Sequence, residues 1–207
     1  MEKIIFATGN AHKMVEIRMI LGDLGAEILS QKEAGIVADV VEDGTTFEEN
    51  AVIKATEIAK IARQMPGYEN VIVLADDSGL EVDYLNKEPG IYSARYMGED
   101  TSYEIKNNSL ITRLEGVPDE KRTARFVCAI AAAFPDGSVE VVRGTMEGRI
   151  GYEIKGENGF GYDPIFYLPE YGCTSAQLSP EKKNELSHRG AGLRKMCKVI
   201  EEKKGQK

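Results

Sequence analysis

The chain has 207 residues, of which 42% are hydrophobic and 29% are charged, and its formal net charge is -8 at pH 7. This length suits one domain with a substantial core, while the negative charge disfavours extended nucleic-acid binding, which needs a concentrated basic face. No apolar stretch approaches bilayer length and the N-terminal segment is too short for a signal peptide, so we expect no membrane partner.

The cysteines are Cys128, Cys173 and Cys197, and their number and spacing indicate the redox compartment. Three is an odd number, and no two of these residues form a C-x-x-C pair. The pattern therefore predicts neither a disulfide framework nor a thiolate zinc site. We expect a protein of the reducing cytoplasm.

The N-terminal part of the chain predicts a strand, a tight loop and a helix. Residues 3–7 form a short apolar run, and Met14, Ile17, Leu21 and Leu24 follow at helical spacing. The free N–H groups and the positive dipole end at the start of such a helix attract phosphate. The candidate phosphate site consists of the loop residues Thr8, Gly9, Asn10, Ala11, His12 and Lys13. Taken alone, this loop is typical of an ordinary turn, and it matches neither the Walker pattern nor the dinucleotide fingerprint.

A polar loop at residues 42–46 precedes a second predicted helix. Thr45 and Glu48 form a possible capping box at its start, and the Pro-Gly pair at 66–67 ends it. One face of the helix would be apolar, formed by Ala51, Ala55, Ile58, Ala62 and Met65. By spacing alone, Glu42 is best interpreted as an acid that complements the helix dipole.

The apolar run at residues 71–75 predicts a strand buried on both faces, with Asp76 and Asp77 at its carboxyl end. Ligands of open α/β sheets lie outside the carboxyl ends of strands, so this is a candidate site. Adjacent carboxylates are costly unless a cation or a donor compensates them. Because successive strand side chains point to opposite faces, only one of the two need bind a metal. A solvated turn is the competing interpretation, but the buried approach and the following Ser78-Gly79 favour the functional one.

The second half of the chain adds antiparallel strands. Residues 125–134 and 139–142 flank a Pro-Asp-Gly-Ser sequence at 135–138, which predicts a hairpin. Helical segments precede and follow it, the last starting at Ser179, which caps it ahead of a proline in the first position. We therefore predict an α/β fold with a mixed twisted sheet and flanking helices. No repeat or flexible linker divides the sequence, so residues 1–207 are predicted to form a single domain with two lobes.

Two later segments could bind a planar ligand. In one, Phe160 and Tyr162 stand among glycines that allow close approach of the backbone, although a strained structural turn is equally consistent. In the other, Lys183, His188 and Arg189 fall on a late helix or its break, where each by itself would be typical of a solvated charged face.

These residues together resemble the inosine triphosphate pyrophosphatase family, whose members are also described as XTP/dITP diphosphatases. The resemblance rests on segments that occur in the family's order and cover nearly the full chain. They are Thr8-Gly9-Asn10 with Lys13, Glu42 with Thr46-Phe47 and Glu49-Asn50-Ala51, residues 75–80, 89–95 and 159–164, and Ser187-His188-Arg189-Gly190. Any one of them could arise by chance, but all of them in order make coincidence a poor explanation.

The resemblance implies an elongated fold with a cleft between two lobes, a homodimer, and Mg²⁺-dependent hydrolysis of deaminated purine nucleotides (XTP, ITP and dITP) to the monophosphate and pyrophosphate. Carried over by position, residues 8–13 would cradle the phosphates. Glu42 and Asp77 would hold one Mg²⁺ per subunit, and Asp77 would also be the catalytic proton acceptor. The remaining substrate-binding residues would be Ser78, Phe160, Gly161, Tyr162, Asp163, Lys183, His188 and Arg189, with the later segments around the base and Lys183, His188 and Arg189 as its hydrogen-bond donors.

Other interpretations are weaker. An aspartate at a strand end could be the nucleophile of a different phosphotransfer enzyme, but the chain has no Asp-x-Asp pair after its first strand. A non-catalytic nucleotide sensor could share these residues, although the carboxylate set favours catalysis, and a dinucleotide oxidoreductase would need a glycine fingerprint. The sequence leaves open whether Asp77 takes the proton or only positions the water, with Asp76 as the base.

Overall fold

The computed structural model describes residues 2–205, apart from the side chain of His12. Its α-helices are α1 (Ala11–Leu21), α2 (Phe47–Ala62), α3 (Tyr103–Arg113), α4 (Pro180–Leu186) and α5 (His188–Gly205). Its strands are β1 (Lys3–Phe6), β2 (Glu27–Ser30), β3 (Ile72–Val82), β4 (Thr123–Ala133), β5 (Val139–Ile150), β6 (Phe166–Leu168) and β7 (Cys173–Thr174). None of the helices within this described range is long and apolar enough to cross a bilayer.

The strands form one seven-stranded sheet in the order β2-β1-β3-β4-β5-β6-β7. Strand β1 is parallel to β2 and β3, whereas β6 is antiparallel to both β5 and β7. Strands β4 and β5 are neighbours, and the short loop between them is closed by a hydrogen bond from the Phe134 N–H to the Ser138 carbonyl (2.9 Å), which confirms the predicted hairpin. The mixed sheet with helices confirms the predicted fold class.

The chain divides into two compact units, and the first comprises Met1–Asp77, Cys128–Gly144 and Arg189–Lys207. Strands β1, β3 and β4 and helices α1 and α5 contribute its core. The buried apolar side chains include Ile4, Phe6, Leu74 and Ile130 from the strands, Met14, Ile17 and Leu21 from α1, and Leu193, Met196 and Ile200 from α5. This burial confirms the apolar spacing predicted for the first helix, and it fixes the loop between β1 and α1 at both ends.

The second unit comprises Ser78–Val127 and Thr145–His188. Its core is built by apolar side chains of β3, α3, β4, β5 and β6, among them Leu80, Val82, Leu110, Phe126, Met146, Ile150, Phe166 and Leu168. Each unit thus has an apolar core of its own. The single nucleotide diphosphatase domain predicted from the sequence stays a prediction.

Helix α2 begins one residue later than the predicted capping box implies. Its N-cap is Thr46, whose hydroxyl accepts a hydrogen bond from the Glu49 N–H (3.1 Å), in place of the predicted pairing of Thr45 with Glu48. Thr45 instead donates to the Glu49 carboxylate through its N–H (2.6 Å) and its hydroxyl (2.8 Å). Either of the two adjacent threonines could cap the helix. Thr46 is the cap, and Phe47 is buried in the first turn that follows it. The predicted apolar face is buried at Ala51, Ala55, Ile58 and Ala62.

Strand β3 is longer than predicted, which corrects the placement of the two aspartates. The sequence placed Asp76 and Asp77 at the end of a strand, but β3 runs on to Val82 and both lie inside it. It is the parallel neighbour β1 that stops here, because the pairing of β1 with β3 ends at Phe6 and Leu74. The prediction failed because a polar Asp-Asp-Ser-Gly sequence has the composition of a turn, while the apolar burial that continues the strand resumes only after it.

Candidate active site

The loop between β1 and α1 is organised by its own side chains. The Thr8 hydroxyl accepts a hydrogen bond from the Asn10 N–H (3.1 Å), and the Asn10 side-chain carbonyl accepts one from the Lys13 N–H (3.2 Å). Asn10 therefore caps helix α1, while Gly9 and Ala11 stay exposed to solvent. The predicted phosphate loop thus presents backbone groups at a helix N-terminus, as the sequence suggested. The prediction for the His12 side chain lies outside the described residues.

One charged cluster surrounds Asp76, and we call it the Asp76 cluster: Lys13, Glu16, Asp76 and Arg189. The Lys13 Nζ lies 3.0 Å from Asp76 Oδ2, and the Arg189 Nε lies 3.5 Å from the same oxygen. Arg189 Nη1 also lies 2.9 Å from Glu16 Oε2. Asp76 is only 1% exposed and Arg189 3%. A buried carboxylate is stable here because it has two cationic partners.

The protonation of Asp76 follows from these contacts. Burial by itself would raise its pKa, but the charges of Lys13, Arg189 and Lys54 outweigh burial and hold the pKa of Asp76 well below its usual range. Burial by itself would lower the pKa of Arg189, but Asp76, Cys128 and Glu16 together outweigh burial and raise it. Asp76 is therefore ionised at every pH at which the protein would work.

A second cluster surrounds the adjacent carboxylate, and we call it the Asp77 cluster: Glu42, Asn50, Lys54 and Asp77. Asn50 donates from Nδ2 to Asp77 Oδ2 (3.0 Å). Lys54 Nζ lies 2.7 Å from Glu42 Oε1 and also donates to the backbone carbonyl of Asp76 (3.0 Å). The structure therefore brings together Glu42 and Asp77, the two predicted metal ligands, around one lysine and one amide.

Asp77 has the opposite electrostatic environment from Asp76. Burial raises the pKa of Asp77 to about 6; the Asn50 amide opposes this change, and the negative charge of Glu42 adds to it. Burial opposes the protonation of Lys54, but the Asp76, Glu42 and Asp77 carboxylates outweigh it, so the pKa of Lys54 is raised. The result is a carboxylate of unusually high basicity held close to a lysine that stays charged.

Asn50 and Lys54 were not among the predicted site residues. Asn50 is 1% exposed, and its Oδ1 accepts a hydrogen bond from the Gly44 N–H (2.9 Å) while its Nδ2 holds Asp77. A Cβ at Gly44 would lie 2.7 Å from that same Oδ1, so only glycine fits there. The sequence signal that could have found Asn50 and Lys54 is their spacing, because residues four apart lie on one face of a helix.

A cavity of about 340 Å³ adjoins these residues within the first unit. Its volume falls in the range of small-molecule sites. Predicted residues in its wall are Thr8, Gly9 and Glu42, and Lys54 joins them. Apart from Ala7, the rest of the wall comes from a segment that the sequence did not indicate, namely Gln31, Lys32, Ile36, Ala38, Asp39 and Val40.

The Asp77 cluster fits a magnesium ion by its donor chemistry. Glu42 and Asp77 offer only oxygen ligands, and burial together with the Glu42 charge makes ionised Asp77 costly, a cost that a bound cation would relieve. Mg²⁺ usually takes one or two protein carboxylates and fills its other positions with water and phosphate oxygens. Within residues 2–205, no three His, Cys, Asp or Glu side chains gather in the manner of a metal centre, so those other positions would have to come from water and phosphate.

In the second unit, the predicted aromatic segment is held by Asp163, and we call the residues Phe160, Asp163, Ser175 and Lys183 the Asp163 cluster. The Asp163 carboxylate accepts hydrogen bonds from the Ser175 hydroxyl (2.8 Å), the Phe160 N–H (2.8 Å) and the Lys183 Nζ (2.5 Å). It is 3% exposed. With three donors bound, Asp163 serves the loop as an internal brace.

Phe160 is presented outward by this arrangement. Its ring is 47% exposed, and Lys183 Nζ lies 5.1 Å from the ring centroid. A Cβ at Gly159 would lie 2.3 Å from Asp163 Oδ2 and 2.6 Å from Lys183 Nζ, so the glycine makes room for this ion pair. The sequence left ligand approach and a structural turn equally open for these glycines, and the contacts of Gly159 favour the structural turn at that position.

The last predicted segment divides between two environments. The His188 ring stacks on Phe126, with centroids 4.9 Å apart and planes 17° apart. The next residue, Arg189, belongs to the Asp76 cluster through Glu16 and Asp76. The sequence grouped Arg189 with Lys183 and His188 as donors to a base, whereas its contacts are with the carboxylates next to the phosphate loop. Ser78 follows Asp77 in β3 and is partly exposed.

Comparison with known proteins identifies the family of this chain. The chain matches the model of the Ham1 family over residues 4–199. It is 50% identical over 196 residues to a dITP/XTP pyrophosphatase of Clostridium perfringens, covering 95% of this chain and 96% of that one. It is 47% identical over 206 residues to a dITP/XTP pyrophosphatase of Vibrio cholerae, covering 99% of each. These matches confirm the resemblance found in the sequence.

A solved structure gives the same result for the fold. The Ham1 protein of Staphylococcus aureus superimposes with a TM-score of 0.86 at 42% identity, and the alignment covers 100% of both chains. At this identity, the two chains share their elements over their full lengths. The fold and the family therefore rest on independent comparisons.

Proposed function

Because the chain belongs to the Ham1 family, we propose that it is a Mg²⁺-dependent diphosphatase that hydrolyses deaminated purine nucleoside triphosphates, namely XTP, ITP and dITP, to the monophosphate and pyrophosphate. Such an enzyme removes these nucleotides from the pool. The observation that carries the proposal is the pair of adjacent strand residues Asp76 and Asp77, one fully neutralised by cations and the other held basic next to Glu42 and Lys54.

Asp77 is the better candidate for the proton acceptor. A general base works best when its pKa lies near the working pH, and in the metal-free protein burial raises the pKa of Asp77 to about 6. Asp76 is a poor base because Lys13 and Arg189 hold its pKa well below the usual range. The Asn50 amide orients Asp77 by donating a hydrogen bond to one of its carboxylate oxygens.

The cations of the first unit suit a triphosphate. Hydrolysis at a phosphoryl centre asks the protein mainly for positioning and for neutralisation of charge. Lys13 follows the loop at the start of α1, and Lys54 lies in the cavity wall beside Glu42. A triphosphate would exchange some of the carboxylate contacts of these lysines for its own oxygens.

Glu42 and Asp77 would hold one Mg²⁺ per subunit. When bound, the ion supplies Lewis-acid activation of a phosphoryl oxygen and neutralises negative charge. The protein keeps Glu42 and Asp77 in place through Lys54 and Asn50, so the ligand pair is preorganised. Orientation of the attacking water and acceptance of its proton are the tasks of Asp77.

The Asp163 cluster is proposed to recognise the base. The exposed Phe160 ring offers a face for stacking, which is indifferent to the identity of the base. Lys183 is a donor, and hypoxanthine and xanthine carry a carbonyl at position six where adenine carries an amino group. We propose that Ser78, Gly161, Tyr162 and His188 also bind the substrate.

The family resemblance also leads us to propose a homodimer in the cytoplasm. None of the described cysteines forms a disulfide, which is compatible with a reducing compartment. Sedimentation velocity over a range of protein concentrations tests the dimer.

The experiment that tests the function is a substrate panel. ITP, dITP, XTP, GTP and ATP are assayed for pyrophosphate and for orthophosphate, with Mg²⁺ present or chelated. We expect pyrophosphate from ITP, dITP and XTP, much less from GTP, least from ATP, and none without the cation. A covalent phosphoenzyme would identify the aspartyl phosphotransfer alternative, and binding without turnover would identify a nucleotide sensor.

A further inference from the structure

Helix α3 contacts the loop that presents Phe160. Asn107 donates from Nδ2 to the Gly161 carbonyl (3.1 Å). Tyr103, one turn earlier on the same helix, packs edge-to-face on Tyr162 with ring centroids 5.3 Å apart and planes at 89°. Gly161 has a φ of 69°, and a Cβ there would lie 3.5 Å from the Tyr103 ring. Helix α3 therefore holds the loop immediately after the exposed ring.

Each residue from Phe160 to Tyr162 is fixed by a different partner. The Phe160 N–H donates to Asp163 (2.8 Å), and the Tyr162 hydroxyl donates to the Ser93 carbonyl (2.7 Å). The Gly161 carbonyl between them receives the Asn107 amide. Gly161 has a left-handed backbone conformation and no side chain to restrict it. The hydrogen bond from Asn107 therefore orients its carbonyl group.

Asn107 is not explained by packing alone. Its side chain is 2% exposed, and among the described residues no donor reaches its buried Oδ1. A half-satisfied buried amide is costly, and an apolar side chain of the same shape would pack at this position without that cost. Among the described residues, the structure therefore retains a buried polar group whose side-chain hydrogen bond goes to the loop carbonyl.

We propose that Asn107 is a positioning residue for base recognition: by holding the Gly161 carbonyl, it sets the direction in which the Phe160 ring faces the purine. The inference rests on the proposed function. It adds a residue outside the substrate-binding set, and it assigns that residue to the base rather than to the phosphates. Removing the amide should leave the phosphate residues of the first unit intact and weaken only ligands that carry a base.

The experiment compares Asn107→Leu with Asn108→Leu. Asn108 is the next residue of α3 and is exposed, so it is a matched control of the same type on the same helix. Inhibition of ITP hydrolysis is measured with IMP, which carries the base, and with pyrophosphate, which does not. For Asn107→Leu we expect the Ki of IMP and the KM of ITP to rise about tenfold, as for the loss of one oriented contact, with the Ki of pyrophosphate and kcat within about twofold.

Two results would overturn the inference. One is a Ki of IMP in Asn107→Leu that equals the value in Asn108→Leu. The other is an equal loss for both inhibitors, which is what a general structural role would produce. Absence of ITP hydrolysis by the wild-type protein would instead reject the proposed function, so the two failures are distinguishable.

A second variant covers the case in which Asn107→Leu does not fold. Tyr103 is 38% exposed, so Tyr103→Leu removes the ring against Gly161 at a position that solvent already reaches. Tyr84→Leu is its control, since Tyr84 is an exposed tyrosine of the same unit. We expect the IMP Ki to rise several-fold in Tyr103→Leu alone, again without a change for pyrophosphate; equal behaviour of the two tyrosine variants would contradict the role of α3 in holding the loop.

Discussion

Lys13 and Asp76 form an ion pair in which Nζ lies 3.0 Å from Oδ2, although 63 residues separate them in the chain. The next residue of the strand, Asp77, meets the Asn50 amide instead. Since neighbouring strand residues point to opposite faces, two adjacent carboxylates come to have opposite electrostatics. Asp76 is a fixed counter-ion, and Asp77 is a base of raised pKa.

This contrast predicts opposite effects of the two amide substitutions on stability. Asp76→Asn leaves Lys13 and Arg189 without their buried counter-charge, so we expect the free energy of unfolding at pH 7 to fall by roughly 3–5 kcal/mol. Asp77→Asn removes a charge that burial disfavours, so we expect the free energy of unfolding at pH 7 to rise by roughly 1–3 kcal/mol. Urea denaturation with Mg²⁺ chelated measures both, and changes of the same sign would refute the assignment.

The contributions of Asp77 and Asp76 to stability depend on pH with opposite signs, for the same reason. The pKa of Asp77 rises from 3.8 to about 6 on folding, so the folded protein binds more protons between these values. The stability contributed by protonated Asp77 is complete below pH 3.8 and is lost as the pH rises to about 6. Asp76, with its lowered pKa, contributes stability above its ordinary value of 3.8 that is lost at lower pH. The advantage of Asp77→Asn over the wild-type protein should therefore disappear below about pH 4, as unfolding curves at pH 4, 5, 6 and 7 would show.

Lys13→Met should weaken the binding of phosphates rather than of the base. The substitution keeps an unbranched side chain and removes the positive charge beside Asp76. We expect the KM of ITP to rise about tenfold or more, and the Ki of pyrophosphate to rise more than the Ki of IMP. Lys60→Met, an exposed lysine of the same unit, is the control. Equal weakening of IMP and pyrophosphate would show that Lys13 acts on the fold and not on the phosphates.

Arg189→Ala and Lys183→Ala should have different effects on base preference. Arg189 is bound by Glu16 and Asp76, so its loss should lower kcat/KM by a similar factor for ITP, XTP, GTP and ATP. Lys183 contacts Asp163 and the Phe160 ring, so its loss should lower kcat/KM for ITP and XTP at least tenfold more than for ATP. The sequence alone predicted base selectivity for Arg189 as well, and a flattened ranking in Arg189→Ala would restore that prediction.

Local patterns predicted the fold well. The apolar spacing of Met14, Ile17 and Leu21, the hairpin around residues 135–138 and the alanine-rich face of α2 all involve residues close in sequence, where periodicity is informative. The exception was β3, because a buried strand that carries two charged residues has the composition of a turn. Only the pairing partners of the strand reveal that it continues.

The contacts among the candidate site residues could not be predicted from the sequence. Glu16 meets Arg189 across 173 residues of chain, and no pattern in a single sequence indicates that distance. Asn50 was named only as part of a segment that carries the resemblance, with no role assigned, yet it holds Asp77. Such roles depend on which elements the fold brings together, and a charge whose partner is remote cannot be assigned from its neighbours in the chain.

The most direct test of the account is the product analysis of ITP hydrolysis by the wild-type protein and by Asp77→Asn, at saturating ITP and Mg²⁺. The wild-type protein should release IMP and pyrophosphate in equal amounts, because cleavage lies between the α- and β-phosphates. Asp77→Asn should release the same products about a hundredfold more slowly or worse, since it has lost both the base and a metal ligand. Release of orthophosphate with IDP, or a kcat of Asp77→Asn within a few-fold of the wild-type value, would contradict the account.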